Sequence, residues 1–240
     1  MTRAEQIAAN LREVHERVDA ALLHAGRSSE SLRLLAVSKT VPAEDVVAAL
    51  AAGQLDFAES YGQEFRDKHA AVAKLVAAAG LPSPRWHFIG PLQSNKVKYV
   101  AGKVALIHSV SSLEILAEIE RKAAALDGVQ ACLVQVNVAG ETQKSGIAPS
   151  DLDATLDSFA AYSHVRCTGL MVIPPYHEDP TLSQPHFAAL RRLRDEQSQR
   201  IRSNVVLANL SMGMSHDLHV AIAEGATLIR VGTAIFGVRT

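Results

Sequence analysis

A lysine that directly follows a short apolar run is the residue of this sequence best placed for covalent chemistry. The apolar run covers residues 34–37, and Ser38 and Lys39 come immediately after it. A lysine that is partly removed from water loses part of its preference for the charged form. A neutral amine can then attack an aldehyde and form a Schiff base. Since a lysine after a strand is more often simply solvated, the role of Lys39 depends on what surrounds it.

Small residues near the end of the chain are typical of an anion-binding site. The segment 211–215 (SMGMS) and the pair Gly232-Thr233 each follow an apolar run. Glycine and serine let backbone N–H groups approach a ligand closely, and a helix that starts near Ser215 or His216 would point its N-terminus at the same place. The alternative is that the glycines form ordinary turns and the serines cap helices. Two such turns in succession favour phosphate.

An arginine interrupts the last apolar run, Leu228-Ile229-Arg230-Val231. A buried charge is costly unless it is paired. One interpretation is a structural ion pair between Arg230 and Glu59. The other is that Arg230 faces the ring nitrogen of pyridoxal 5′-phosphate (PLP), where PLP proteins place an aspartate or an arginine. An arginine there would disfavour protonation of the ring nitrogen and make the cofactor a weaker electron sink.

Short apolar runs alternate with helical stretches along the chain, and this alternation predicts the elements that position these residues. Strands are predicted at 33–38, 55–58, 86–89, 105–108, 132–137, 166–170, 205–210 and 227–231. Helices are predicted at 43–52, 63–79, 94–101, 112–125, 149–160, 184–200 and 216–224. Alternation favours a parallel sheet covered by helices. Eight strands favour an α/β fold of the closed (β/α)8 TIM barrel type over an open doubly wound sheet.

The length fits one such barrel. A (β/α)8 barrel needs about 250 residues, so we expect residues 1–240 to form a single domain. Little sequence follows the eighth strand, and we expect an N-terminal helix, opened by a capping box at Thr2 and Glu5, to cover that gap. In such barrels the site lies at the C-terminal ends of the strands, which is where Lys39, Arg230 and Thr233 are predicted to meet.

Composition restricts the class of protein. The net charge is −1, from 24 basic and 25 acidic residues, so no global field favours nucleic acid or an anionic membrane. The N-terminus has neither the apolar core of a signal peptide nor the composition of a transit peptide, and we expect a cytoplasmic protein. His87 and His108 are predicted to be hydrogen-bonded core residues rather than metal ligands. Cys132 and Cys167 are predicted to be reduced core thiols.

Several motifs together resemble the YggS/PROSC family of PLP homeostasis proteins, which are similar to the barrel domain of bacterial alanine racemases. The matching segments are LLAVSKT (34–40), FAESYGQE (57–64), WHFIGPLQSNK (86–96), VQVNVAGETQKSG (134–146), GLMVIP (169–174) and LSMGMSHDLHVAIAEGATLIRVGTAIFG (210–237). They span nearly the whole chain in the order of the family. The combination is specific, whereas each motif alone is weak.

The resemblance implies a set of cofactor contacts. It implies a Schiff base between PLP and Lys39, and it implies that Arg230 lies near the pyridine nitrogen. It also implies phosphate contacts from Ser211, Gly232 and Thr233, and a pocket lined by Met212, Gly213 and Asn137. This chain departs from the family at Ser60, where relatives have an asparagine, so no specific contact is carried over to that position.

The resemblance implies a protein that holds and releases PLP without strong catalytic activity. PLP-dependent apoenzymes are the candidate recipients, and a monomer is expected. The alternative is a PLP-dependent amino-acid racemase that uses Lys39 as its base. Two-base racemisation needs a base on each face of the substrate carbon, and Tyr61 and Tyr176 are candidates that nothing singles out. A third hypothesis is a barrel that binds a phosphorylated metabolite without a Schiff base.

Overall fold

The computed structural model describes residues 1–141, 143 and 145–238 as a closed barrel of eight parallel strands, each paired with the next and the last with the first. The predicted fold class is therefore confirmed. The strands are β1 Arg33–Val37, β2 Asp56–Glu59, β3 Arg85–Phe88, β4 Leu106–Val110, β5 Gln130–Gln135, β6 Val165–Met171, β7 Val205–Met214 and β8 Leu228–Val231.

Helices cover the outside of the barrel. They are α1 Arg3–His24, α2 Ala43–Ala51, α3 Gly62–Ala79, α4 Val97–Val100, α5 Leu113–Ala124, α6 Leu152–Ser158, α7 Gln184–Ser198, α8 Leu218–Ala223 and α9 Thr233–Phe236. In the described part of the chain, no helix is both long and apolar enough to cross a membrane.

The N-terminal helix covers the gap after the last strand, as the sequence predicts. Thr2 and Glu5 form the reciprocal capping box at the start of α1. The buried stripe of α1 then packs against α2, α8 and α9. Because α9 has only four residues, α1 supplies the apolar cover that a full closing helix would otherwise give.

Alternation along the strands separates two cores. Leu35, Val37, Leu133 and Met171 belong to a small cluster inside the barrel. The residues that alternate with these four along the same strands pack in the larger core between strands and helices. Successive side chains of a strand point to opposite faces, so the core to which a residue belongs tells whether its side chain faces the barrel interior.

The structure moves one predicted boundary that matters for the site. Segment 211–214, predicted to follow β7 as a loop, forms the last part of the strand itself, and α8 begins at Leu218 instead of Ser215 or His216. Ser211 pairs with Met171 of β6 and with Leu228 of β8, and Met214 pairs with Arg230. Ser211 therefore lies inside the barrel wall, and Ser215 is the first residue beyond the strand.

Candidate functional site

Lys39 lies at the mouth of the barrel. Leu35 and Val37 face the interior, and Lys39 follows in the turn two residues after the end of β1. Its side chain is half-buried. Strand β1 pairs with β8, with Leu35 level with Arg230, so the site residues of the first and last strands are neighbours in space.

Charged side chains hold the backbone on both sides of Lys39. The Lys68 ammonium of α3 donates to the Ser38 carbonyl, and the Thr40 N–H donates to the Glu64 carboxylate. Lys68 also donates to Oε1 of Glu59 (2.7 Å) and to Oε1 of Glu64 (2.6 Å). The Ser38 hydroxyl donates to the same Glu59 oxygen at 2.7 Å. We call Lys68, Glu59 and Glu64 the lysine clamp.

The centre of the lysine clamp is a fully buried carboxylate. Glu59 is completely inaccessible, and its Oε2 has no hydrogen-bond partner among the described residues. Burial raises the pKa of Glu59, although the nearby Lys68 ammonium acts in the opposite direction. Glu59 is committed to Lys68 and Ser38 on the outer side of the strands, so its proposed ion pair with Arg230 does not form and that interpretation is wrong.

Arg230 lies inside the barrel and is held by neutral groups. It is 3% exposed, and its guanidinium donates to the Ser211 hydroxyl (2.7 Å) and to the Val172 carbonyl (3.0 Å). Burial lowers the pKa of Arg230 to about 10, with a smaller opposing effect from Asp217. The side chain is therefore still charged at neutral pH, and it reaches up to a residue just beyond β6.

The two strand histidines continue the contacts of Arg230 across the barrel. Nδ1 of His108 lies 2.8 Å from the Ser211 hydroxyl, and its Nε2 lies 3.0 Å from Nδ1 of His87. His87 Nε2 lies 3.1 Å from the Asp56 carboxylate. Both histidines are buried, so the prediction that they are hydrogen-bonded core residues is confirmed. Burial lowers the pKa of His108 well below its ordinary value, and the charge of Arg230 acts in the same direction.

Gly213, the glycine of segment 211–215, allows β7 to pack closely against α8. Gly213 has φ +91°, and a Cβ atom there would lie 2.5 Å from the Cβ of Ala221 in α8. The Met214 N–H donates to the Asp217 carboxylate at 2.7 Å, so this amide is already satisfied. The Met212 side chain packs in the outer core. A ligand at the mouth would therefore meet position 212 or 213 through the backbone.

The Gly232-Thr233 turn lies at the mouth. Gly232 is buried, Thr233 is exposed, and together they begin the short helix α9. The first N–H groups of a helix have no partner within it. Together with the Thr233 hydroxyl, they make this turn suitable for an anion beside Lys39 of the neighbouring strand.

Asn137 and Ser60 lie further round the rim. The Asn137 side chain donates to the Glu141 carbonyl, and its N–H donates to Ile147. The matching segment around Asn137 includes Thr142 and Lys144, which lie outside the described residues. The Ser60 backbone approaches Gly90 so closely that a Cβ at position 90 would lie 2.0 Å from the Ser60 carbonyl oxygen. The Ser60 backbone therefore contributes to the close contact between the segments that follow β2 and β3.

Sequence reasoning did not find Lys68, Glu64 or the role of the histidines. Glu64 and Lys68 are four residues apart, the spacing of an ordinary surface ion pair on a helix. Only the position of α3 over the ends of β1 and β2 buries Lys68. The signal that was present is Glu59, an acidic residue directly after an apolar run, since a buried carboxylate requires a partner.

Comparison with known proteins gives a consistent family. Residues 3–240 match the model of the alanine racemase N-terminal domain. The chain is 44% identical over 229 residues to the pyridoxal phosphate homeostasis protein of Aquifex aeolicus, covering 95% of this chain and 96% of that one. The structure of PipY from Synechococcus elongatus, solved with PLP bound, is 36% identical, with a TM-score of 0.82, and covers 97% of this chain and 100% of its own.

A more distant likeness shows the fold alone. The alanine racemase of Corynebacterium glutamicum is 15% identical with a TM-score of 0.64, and the match covers 98% of this chain but 61% of the racemase. The near relatives carry homeostasis names and match end to end. The chain therefore belongs to the alanine racemase N-terminal domain family, among the pyridoxal phosphate homeostasis proteins.

Proposed function

We propose that this protein binds PLP at the barrel mouth, with the cofactor aldehyde joined to Lys39 as a Schiff base, and that it acts in PLP homeostasis by holding and releasing the cofactor. The observation that carries the proposal is the arrangement of two cations in one mouth. Lys39 is half-buried there, and the charged Arg230 lies inside the same barrel and is 3% exposed. Near relatives named for PLP homeostasis support it.

The donors of the site fit the groups of PLP. The Lys39 amine would form a C=N bond with the aldehyde carbon, and the aldehyde oxygen would leave as water. The Arg230 guanidinium, which only donates hydrogen bonds, would meet the acceptor nitrogen of the pyridine ring. Gly232 and Thr233 supply amide and hydroxyl donors for the phosphate, and Ser215 offers a hydroxyl just beyond β7. When bound, PLP supplies an electron sink for amino-acid chemistry.

The same residues favour a carrier over an efficient racemase. Arg230 remains charged and would keep the ring nitrogen unprotonated, which weakens the electron sink. The two tyrosines considered as a second base are exposed, and the Tyr176 ring packs against His216 at 5.7 Å. Among the described residues, neither tyrosine hydroxyl is hydrogen-bonded to a group that would make it a base. We infer that PLP-dependent apoenzymes receive the cofactor from a cytoplasmic, single-domain monomer.

Absorption spectroscopy of purified protein with PLP tests the cofactor and its anchor. Wild type should show a visible band that Lys39→Ala loses, and borohydride reduction followed by peptide mapping should place the pyridoxyl group on Lys39. Lys74→Ala, which removes an exposed lysine of α3, is the matched control and should keep the band. A band that survives in Lys39→Ala would show that the anchor is another residue. No band in wild type would favour a phosphorylated metabolite as the ligand.

Two assays then separate a carrier from an enzyme. In the first, PLP-loaded protein is mixed with a PLP-dependent apoenzyme, and recovery of the recipient's activity is followed beside an equal concentration of free PLP. In the second, single amino acids are incubated with the loaded protein and their optical rotation is followed. Transfer without racemisation is the expected result. Sustained racemisation that Lys39→Ala abolishes would establish the alternative, a racemase with Lys39 as its base.

A further inference from the structure

A continuous line of polar side chains crosses the interior of the barrel. It runs from Arg230 through Ser211, His108 and His87 to Asp56, and every link measures between 2.7 and 3.1 Å. All five residues are less than 5% exposed. A buried polar group is expensive unless it is hydrogen-bonded, so a connected line of five inside the barrel indicates a function.

The chemistry of the two ends gives the line a direction. Hydrogen bonds from His87 and Arg85 hold the pKa of Asp56 below its usual value against the opposing effect of burial, so the carboxylate only accepts. With hydrogen on Nε2 of both rings, His87 donates to Asp56 and its Nδ1 accepts from Nε2–H of His108. His108 Nδ1 in turn accepts from the Ser211 hydroxyl. Arg230, which only donates, begins the line.

With this pair of tautomers, every link donates the same way, from Arg230 towards Asp56. Hydrogen bonds arranged head to tail polarise one another. Asp56 lies four hydrogen bonds away from Arg230 along this line. Its negative charge thus makes the Ser211 oxygen a better acceptor for Arg230. No carboxylate among the described residues bonds Arg230 directly. Its guanidinium is held by hydrogen bonds to neutral groups, and the Asp217 carboxylate acts on it only through space.

We propose that Ser211, His108, His87 and Asp56 form a positioning relay for Arg230. The relay fixes the orientation of the guanidinium towards the ring of a ligand at the mouth, and it uses the hydroxyl hydrogen of Ser211 for this purpose. The role assigned to Ser211 changes accordingly, from a phosphate contact to a support of the ring contact. This inference rests on the proposed PLP site, and its test separates the two.

The decisive measurement compares two ligands, PLP and pyridoxal, which lacks the phosphate. Dissociation constants for both are measured in wild type, Ser211→Ala, Ser211→Thr, His108→Gln and Thr233→Val. A residue that supports the ring contact affects both ligands alike, whereas a phosphate contact affects PLP alone. Loss of one hydrogen bond to a charged group corresponds to about a tenfold change in affinity.

The relay predicts a specific pattern. Ser211→Ala and His108→Gln should weaken PLP and pyridoxal by the same factor, about tenfold, and should shift the visible band of bound PLP. The double variant should be no weaker than either single variant, because both break one line. Ser211→Thr, which keeps the hydroxyl, should restore the wild-type values. Thr233→Val should weaken PLP about tenfold and leave pyridoxal unchanged.

Other patterns overturn the relay. If Ser211→Ala weakens PLP alone while His108→Gln changes nothing, Ser211 contacts the phosphate and the relay is wrong. If neither variant changes affinity or spectrum, the line has only a structural role. Failure of Thr233→Val to discriminate between the ligands concerns the phosphate part of the proposed site and leaves the relay result intact.

A measurement on the ligand-free protein tests the direction of the line even if no PLP binds. Nitrogen-15 NMR of the imidazole rings, assigned with His87→Gln and His108→Gln, reports which ring nitrogen carries the hydrogen. The relay requires hydrogen on Nε2 of both rings, and Ser211→Ala should change the Nδ1 signal of His108. Hydrogen on Nδ1 of His108 would reverse the line and overturn the proposal.

Discussion

Two regions of this barrel each hold a cation in place, and they do so by opposite means. At the rim of β1 and β2, the backbone of Lys39 is fixed by the lysine clamp, in which a buried ammonium lies between two carboxylates. Inside β7 and β8, Arg230 is fixed by a hydroxyl and a carbonyl, and the nearest carboxylate along the line lies beyond two histidines.

The difference follows from what each region has to provide. The lysine clamp bonds to peptide groups on either side of Lys39, and its ammonium is compensated locally by two carboxylates. The charge of Arg230 is itself the functional group in our proposal, and a carboxylate in contact would weaken it. A buried charge that is neutralised depends strongly on its partner, whereas one held by neutral dipoles depends on several weaker bonds. Four measurements test this contrast.

Removal of Lys68 should have the largest effect. Lys68→Met leaves the fully buried Glu59 carboxylate without its counter-ion, which should lower the free energy of unfolding by about 3–5 kcal/mol. Urea denaturation measures it. The double variant Lys68→Met/Glu59→Gln should recover most of the loss because no isolated charge remains. Lys74→Met, on the exposed side of the same helix, should change stability by less than about 0.5 kcal/mol. An equally small effect of Lys68→Met would refute the lysine clamp.

Removal of Arg230 should cost less than removal of Lys68. Arg230→Met takes a charge out of the interior and leaves only the Val172 carbonyl and one bond of Ser211 unsatisfied, so the expected loss is about 1–2 kcal/mol. The same urea titration measures it. A loss as large as that of Lys68→Met would mean that a carboxylate compensates Arg230 more strongly than its contacts indicate, and the contrast between the two regions would fail.

Much of this architecture is predictable from the sequence, because apolar runs and helical periodicity are local signals. Seven of the eight strands lie within two residues of their predicted bounds. The exception is β7, where the prediction stopped at residue 210 and the strand continues to Met214. Ser211 is polar because it faces Arg230 inside the barrel, so the residue that serves the site also interrupts the apolar pattern that defines the strand.

The partners within the site could not be predicted, for a physical reason. Lys39 and Arg230 stand out locally, as charges beside or within apolar runs. The residues that support them come from other strands and helices: His108 lies 103 positions from Ser211, and Lys68 lies 30 positions from Ser38. Contacts at such separations depend on the closure of the barrel, and single-sequence patterns do not carry them.

The pH dependence of stability tests the region around Arg230, where the cation is held by neutral groups. Because the pKa of His108 is lowered in the folded state, the unfolded chain binds more protons as the pH falls below about 6.5, the ordinary histidine value. Stability should then fall with falling pH, by at most about 1.4 kcal/mol per unit for this group. His108→Gln should show a shallower slope in urea titrations between pH 7.5 and 5. His15→Gln, an exposed control, should retain the wild-type slope.

The smallest expected effect concerns the residue after Lys39. Thr40 has φ +61°, a left-handed conformation that costs a β-branched residue about 1–2 kcal/mol. Glycine relieves this strain but loses about 0.5–1 kcal/mol of backbone entropy, so Thr40→Gly should raise the free energy of unfolding by about 0.5 kcal/mol. Thr40→Val keeps the branched shape and should leave it nearly unchanged. A loss of stability in Thr40→Gly would show that the lysine clamp does not hold this residue against strain, because a relaxed backbone gains nothing from glycine.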